Sequence, residues 1–193
     1  PYYIDKVFKK IYPKWNSDEF FKYLDKFKID QKKKFSDLSR GMRAKLSLAT
    51  SLCHDAKLLI LDEPTSGLDP IVRGEVLDLF REFMEDDTHS ILISSHITSD
   101  LESIADYIVL IDNGKIILNK SITDIMDNYG IIHCTKEMFH KLTPECISYR
   151  QNKYDYEILV DNKKEIKKKY KDLNIDKASI DEMMYLLIRG EKQ

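Results

Sequence analysis

Asp62 and Glu63 stand directly after the unbroken apolar run Leu58-Leu59-Ile60-Leu61. Two adjacent carboxylates delivered to the tip of a core strand suit phosphoryl transfer, because one acid can hold magnesium while its neighbour orients or polarises a water. The run continues as Leu61-Asp62-Glu63-Pro64-Thr65-Ser66-Gly67-Leu68-Asp69. Upstream lies Leu38-Ser39-Arg40-Gly41-Met42, and downstream His96 follows the apolar stretch Ser90-Ile91-Leu92-Ile93-Ser94-Ser95. Each piece has a bland reading by itself: acids facing solvent at a strand end, a serine capping a helix, a partly buried structural histidine. Their combination and order point to a site. A phosphate-cradling GxxxxGK[ST] loop needs two glycines five positions apart, and none of Gly41, Gly67, Gly74, Gly114, Gly130 and Gly190 is so spaced. Gly114-Lys115 is followed by Ile116 and belongs to a turn.

The elements that must position these residues follow from periodicity. Phe20, Phe21, Leu24 and Phe27 lie at helical spacing after Ser17, with Asp18 and Glu19 in the first turn, so residues 17–28 predict a surface helix with one buried face. Ser39 predicts the cap of a second helix with an apolar stripe of Met42, Leu46, Ala49 and Cys53. Leu58 to Leu61 reads as a strand buried on both faces of a parallel sheet. Pro70 opens a helix to about Met84, Ser90 to Ser95 forms the next inner strand, and a helix near 97–105 leads to Ile108-Val109-Leu110-Ile111. Asn113-Gly114 between that run and Ile116-Ile117-Leu118 predicts a hairpin. Strand alternating with helix is the grammar of an α/β sheet, whose ligands gather at the carboxyl ends of the strands, where Asp62, Glu63 and His96 all fall. After Lys120 the pattern weakens into lysine-rich, tyrosine-containing segments and closes on a helix carrying Ile180, Met183, Met184, Leu187 and Ile188. The run from Lys163 to Lys171 reads as a solvated helix face.

A chain of 193 residues with 42% hydrophobic content can bury a core. Charges make up 33% of it yet nearly cancel, to a formal net charge of -2, which removes any global electrostatic case for a nucleic-acid partner. Cys53, Cys134 and Cys146 are too widely spaced for a paired-thiol zinc motif and read as reduced thiols. No apolar run approaches the length of a membrane-spanning helix, so a cytoplasmic setting is expected. A start at Pro1 that runs straight into an amphipathic stretch is expected of an amino-terminally truncated piece.

In the block from Leu61 to Asp69, in Leu38 to Met42, and in His96 behind an inner strand, the chain resembles the ATP-binding subunits of ABC transporters. The first block looks like their Walker B motif and D-loop, the second like their signature motif, and His96 like their switch histidine. The specific motifs span about residues 36 to 118, with looser similarity to bacterial exporter-type subunits in the flanks. The resemblance implies a partial P-loop NTPase (ABC ATPase) α/β fold: an incomplete helical subdomain over 1–48, half of a RecA-like core over 49–120, and a small α+β accessory region over 121–193. It implies ATP and Mg2+ as cofactors, with Asp62 holding the metal, Glu63 acting on the attacking water, and His96 contacting the γ-phosphate. Ser39, Arg40, Gly41 and Met42 would grip the γ-phosphate of an ATP held by a second ATP-binding subunit in a head-to-tail dimer, Gly41 leaving the backbone free to approach it. Ser66, Gly67 and Asp69 would join the two active sites. Arg40 and Met42 stand where the commonest signature, LSGGQ, has glycine and glutamine. A transmembrane permease at the inner face of the cell membrane is the implied partner. Without the Walker A loop, the chain alone is expected to hydrolyse no ATP.

Three rival readings remain. An ABC-type ATPase of DNA repair would join these motifs to long coiled coils, and no sustained heptads occur. A ribosome-associated ABC protein typically reads Thr-Asn-His-Leu-Asp after Glu-Pro, where this chain has Thr65-Ser66-Gly67-Leu68-Asp69. A non-catalytic interaction module would not need the Glu63 and His96 that are present here.

Overall fold

The computed structural model describes residues 1–192, in two compact units, Pro1–Asp100 and Leu101 onward. The first unit opens with helices α1 (Tyr2–Ile11) and α2 (Ser17–Lys26), the latter capped by Asn16, whose side chain accepts the Glu19 N–H at 3.0 Å. Trp15 anchors this end: its indole donates to Asp5 at 2.8 Å and its ring packs on Phe8 and Phe20. Helix α3 (Arg40–Leu52) starts at the predicted cap, with Ser39 Oγ accepting from Met42 N, and buries Leu46, Leu48 and Ala49. Strand β1 (Leu58–Asp62), helix α4 (Pro70–Met84) and strand β2 (Ser90–Ser94) follow, and the two strands pair in parallel from Leu58↔Ser90 to Asp62↔Ser94. Helix α4 begins at Pro70 under an Asp69 cap and sinks Val76, Leu77, Leu79 and Phe80 into the core.

The parallel pairing matches the sequence reading, but burial on both faces does not. Leu59 is buried, whereas Leu58, Ile60 and Leu92 on the opposite face are 53%, 72% and 62% exposed. Side chains alternate across a strand, so an apolar run is buried on both faces only where layers exist on both sides. Within the first unit α3 and α4 supply one layer, and no described residue of that unit covers the other face.

In the second unit, helix α5 (Thr98–Ile104), which begins at the end of the first, leads to β3 (Tyr107–Asp112) and β4 (Lys115–Ser121), an antiparallel hairpin. Its turn residues Asn113 and Gly114 both have positive φ, 47° and 74°, which is the backbone the Asn-Gly pair predicts. Helix α6 (Ile122–Asn128) follows under a Ser121 cap. Then come β5 (Gly130–Cys134), α7 (Lys136–Leu142), β6 (Ser148–Gln151), β7 (Tyr156–Val160), α8 (Lys163–Lys169), β8 (Asp176–Lys177) and α9 (Ile180–Arg189). The strands pair antiparallel in the order β6-β7-β5-β8, the ferredoxin-like split β-α-β arrangement. This sheet is covered on both sides. Ile132, Cys134, Tyr156, Ile158 and Val160 pack against Phe139, Leu142 and Ile166 of α7 and α8. Ile131 and Leu159, on the other face, pack against Ile180, Met183, Leu186 and Leu187 of α9. A capping box fixes the start of α9, with Ser179 and Glu182 exchanging hydrogen bonds.

The three cysteines are free, as the sequence predicts. Burial pushes the Cys53 thiol up to about 12, helped by the Glu19 carboxylate, and pushes Cys134 and Cys146 to about 11. Among the described residues no helix is long and apolar enough to cross a membrane.

Candidate functional site

Because β1 and β2 run parallel and in register, the chain leaves both strands at the same edge. That geometry brings residues 33 apart in sequence into contact: His96 Nδ1 lies 2.6 Å from Glu63 Oε2. A carboxylate only accepts, so Nδ1 carries the proton in this contact. The neighbouring acid is fixed by the strand pairing itself, Ser94 Oγ donating to Asp62 Oδ1 at 2.5 Å. Ser94 also receives the Glu63 N–H, at 3.1 Å on its carbonyl and 3.2 Å on its hydroxyl. These two bonds hold Glu63 in the left-handed region, φ 47°, a conformation costing a residue with a Cβ about 1–2 kcal/mol. Asp62 is exposed and Glu63 half-buried, so both acids meet solvent at an open edge.

The turn after Glu63 is tied down by a buried ion pair that the sequence reading missed. Thr65 and Asp100 are 0% and 2% exposed. Thr65 Oγ1 donates to Asp100 Oδ2 at 2.7 Å, Arg73 Nε donates to Asp100 Oδ1 at 2.6 Å, and the same guanidinium reaches Ser99 Oγ at 2.8 Å. An unpaired buried carboxylate would cost several kcal/mol, and Arg73 removes that penalty. Asp100 thereby fastens the loop leaving β1 to the segment that follows His96. No pattern in the sequence marks Asp100, because its partners come from two other elements.

Ser66 closes the turn through its N–H to the Glu63 carbonyl at 3.2 Å, Gly67 adopts φ 65°, and Asp69 caps α4 by accepting from Ile71 N and Val72 N, both at 3.1 Å. Arg40 lies against Gly67: a Cβ built there would overlap the guanidinium. The signature-like segment and the Gly67 turn therefore touch within one chain. Ser39 and Arg40 are exposed, while Gly41 and Met42 are half-buried. The open side of Gly41 faces α4, where an added Cβ would stand 3.0 Å from Val72 Cγ1. Glycine at 41 thus has a packing reason, the close approach of α3 to α4, beside which an ion pair from buried Lys45 to Glu75 also joins the two helices.

A cavity of about 630 Å³ in the first unit lies elsewhere, lined by residues such as Lys14, Glu19, Tyr23, Cys53, Glu82 and His89. The site of Asp62, Glu63 and His96 is an edge, not a cleft. Among the described residues no cluster of three or more histidine, cysteine, aspartate or glutamate side chains is arranged to hold a metal, so Asp62 could be one ligand of a metal but not a complete set.

Residues 4–99 match a family model described as an AAA domain, with the AbiEii toxin of a type IV toxin–antitoxin system in its description. The chain is 38% identical over 96 residues to the bacitracin transport ATP-binding protein BcrA of Enterococcus faecalis, covering 50% of this chain and 31% of that protein. It is 47% identical over 89 residues to the lantibiotic transport ATP-binding protein SrtF of Streptococcus pyogenes, covering 46% of this chain and 38% of that one. The chain thus spans about a third of the length of these curated relatives. A metal-chelate type ABC transporter solved in an inward-facing conformation shares the fold, with a TM-score of 0.50 at 22% identity over 74% of this chain and 55% of that one. Over about half of its length the chain is thus similar to ATP-binding proteins of ABC transporters.

Proposed function

We propose that this chain carries the acid-and-histidine half of an ATP-hydrolysing site, within a subunit that powers transport through a separate membrane permease. The Glu63–His96 contact at the carboxyl ends of two parallel strands is the observation that carries this reading. In it Glu63, its backbone fixed by Ser94, serves as base or positioner for the attacking water. His96 donates its Nδ1–H to a Glu63 oxygen, and a ring protonated at Nε2 as well would donate there to an oxygen of the γ-phosphate. Asp62, exposed and steadied by Ser94, suits a magnesium held through water. Magnesium ATP supplies the phosphoryl group and the neutralising charge when bound. Ser39, Arg40, Gly41 and Met42, at the mouth of α3, face the nucleotide of a second subunit in a head-to-tail pair, with Ser66, Gly67 and Asp69 lining the seam. Arg40 resting on Gly67 links those two groups.

The 193 residues contain no GxxxxGK[ST], so the β- and γ-phosphates need a cradle from another segment, and this chain alone is inactive. The relatives' names, bacitracin transport and lantibiotic transport, make export of an antimicrobial compound the first cargo class to test. The decisive measurement is ATP turnover by the gene product that carries this segment, with and without Glu63→Gln. The substitution is expected to lower turnover roughly a hundredfold or more while nucleotide binding persists. Unchanged turnover removes Glu63 from the chemistry, and brisk hydrolysis by the 193-residue chain alone contradicts the need for a separate cradle.

A further inference from the structure

The run of lysines that reads as a solvated helix face forms the wall of a recess in the second unit. Lys163, Lys164, Lys167 and Lys168 line a cavity of about 580 Å³ together with Asn174 and Ile175. On the helix the i,i+4 pairs Lys163–Lys167 and Lys164–Lys168 are neighbours, so like charges stand beside one another and repel. No carboxylate lines the recess. One of the four lysines is paired, Lys164 with Asp127 at 2.8 Å. Lys163 and Lys167 are instead held by neutral acceptors, the carbonyls of Met126 and Leu173. A carbonyl fixes an ammonium in place without cancelling its charge. Elsewhere in the same unit lysines find acids, Lys120 with Asp124 at 3.0 Å and Lys169 with Glu145 at 2.9 Å. Among the described residues Lys163, Lys167 and Lys168 form no ion pair, so the recess holds positive charge that the chain compensates only at Lys164, in a volume of the size that small molecules occupy.

We infer that this recess binds a multiply charged phosphate anion, either a soluble phosphate compound or the headgroup of an anionic lipid. Lysine suits that ligand as a mobile point charge with three donors. Ile175 supplies an apolar patch beside the cations, where electrostatic attraction is screened less than in open water. The site belongs to the second unit alone, so it stands or falls separately from the ATPase reading.

The test is titration calorimetry of the 193-residue chain with sodium tripolyphosphate at low ionic strength. Saturable binding is expected, weakening as salt rises. The triple variant Lys163→Gln, Lys167→Gln, Lys168→Gln is expected to weaken it at least tenfold. Lys168→Glu, which leaves the carbonyl bonds of Lys163 and Lys167 in place, should weaken it without disturbing the far-UV circular dichroism. A control with the same charge change, Lys32→Gln, Lys33→Gln, Lys34→Gln, should bind as the parent does. Co-sedimentation with phosphatidylglycerol vesicles, against phosphatidylcholine vesicles, distinguishes the sources. Capture that requires the same lysines assigns a lipid headgroup, and tripolyphosphate binding without capture assigns a soluble anion. Absence of both, or an equal loss in the control, overturns the proposal.

Discussion

The strands β1 and β7 carry similar apolar sequences, Leu58-Leu59-Ile60-Leu61-Asp62 and Tyr156-Glu157-Ile158-Leu159-Val160, yet they sit in opposite surroundings. All five residues of β7 are buried, because α7 and α8 cover one face of its sheet and α9 the other. In β1 only Leu59 is buried, since its unit lays helices on one side of a two-stranded sheet. Even the charged member of β7 is absorbed: Glu157, 4% exposed, is ion-paired with Arg150, whose guanidinium lies 4.8 Å from the Tyr185 ring. An unbroken hydrophobic run thus states what a strand can bury, while the number of layers decides what it does bury. The acids of β1 keep their exposure at the edge of the thinner unit, where a ligand can reach them.

The sharpest way to break this comparison is to attack the one deeply buried charge that holds the first unit's loop. Asp100→Ala should destabilise the first unit by about 3–5 kcal/mol, because it strands Arg73 and leaves the Thr65 hydroxyl without its acceptor. Trp15, the single tryptophan, lies in that unit, so its fluorescence during urea unfolding reads the loss directly. A shift under about 1 kcal/mol would show that the ion pair is dispensable. Next in size is the contrast between the two sheets. Ile158→Ala, at a fully buried position, should cost the second unit about 2–5 kcal/mol by hydrogen exchange. Ile60→Ala, at a position 72% exposed, should move the Trp15 transition by less than about 0.5 kcal/mol. Equal costs would mean that the outer face of β1 is covered in solution.

A separate expected effect concerns pH. Burial pushes the folded thiols above the ordinary thiol value near 9, to about 12 for Cys53 and about 11 for Cys134 and Cys146. Between pH 9 and those values the unfolded chain has released protons that the folded chain retains, so stability falls as pH rises through that window and is flat below it. Urea midpoints at pH 8 and pH 10 check the sign. Fast maleimide labelling of the native chain at pH 8, at the rate of the urea-unfolded chain, would contradict the burial of these thiols.

Much of the candidate site was legible before any coordinates. The strand tip at Asp62 and Glu63, the cap at Ser39, the helix from Pro70 to Met84 and the Asn113-Gly114 turn all follow from local rules: apolar period, capping chemistry, the backbone demands of a tight turn. Thr65, Arg73 and Asp100 escaped notice because an ion pair between distant elements leaves no period in the sequence. The split β-α-β sheet of the second unit escaped for a related reason. Its strands run only two to five residues, too short for alternation to stand out, and their order depends on pairings between remote segments.

The sequence by itself determined where most of the elements between residues 17 and 118 lie and which residues are candidates for chemistry, because those choices rest on interactions within a few residues. Only the tertiary structure decided that Glu63 meets His96, that Arg40 rests on Gly67, that Gly41 is filled by Val72 and that four lysines share one recess. Each of those contacts joins segments whose separation along the chain carries no local signal, and each becomes fixed when packing selects one register and one set of covered faces.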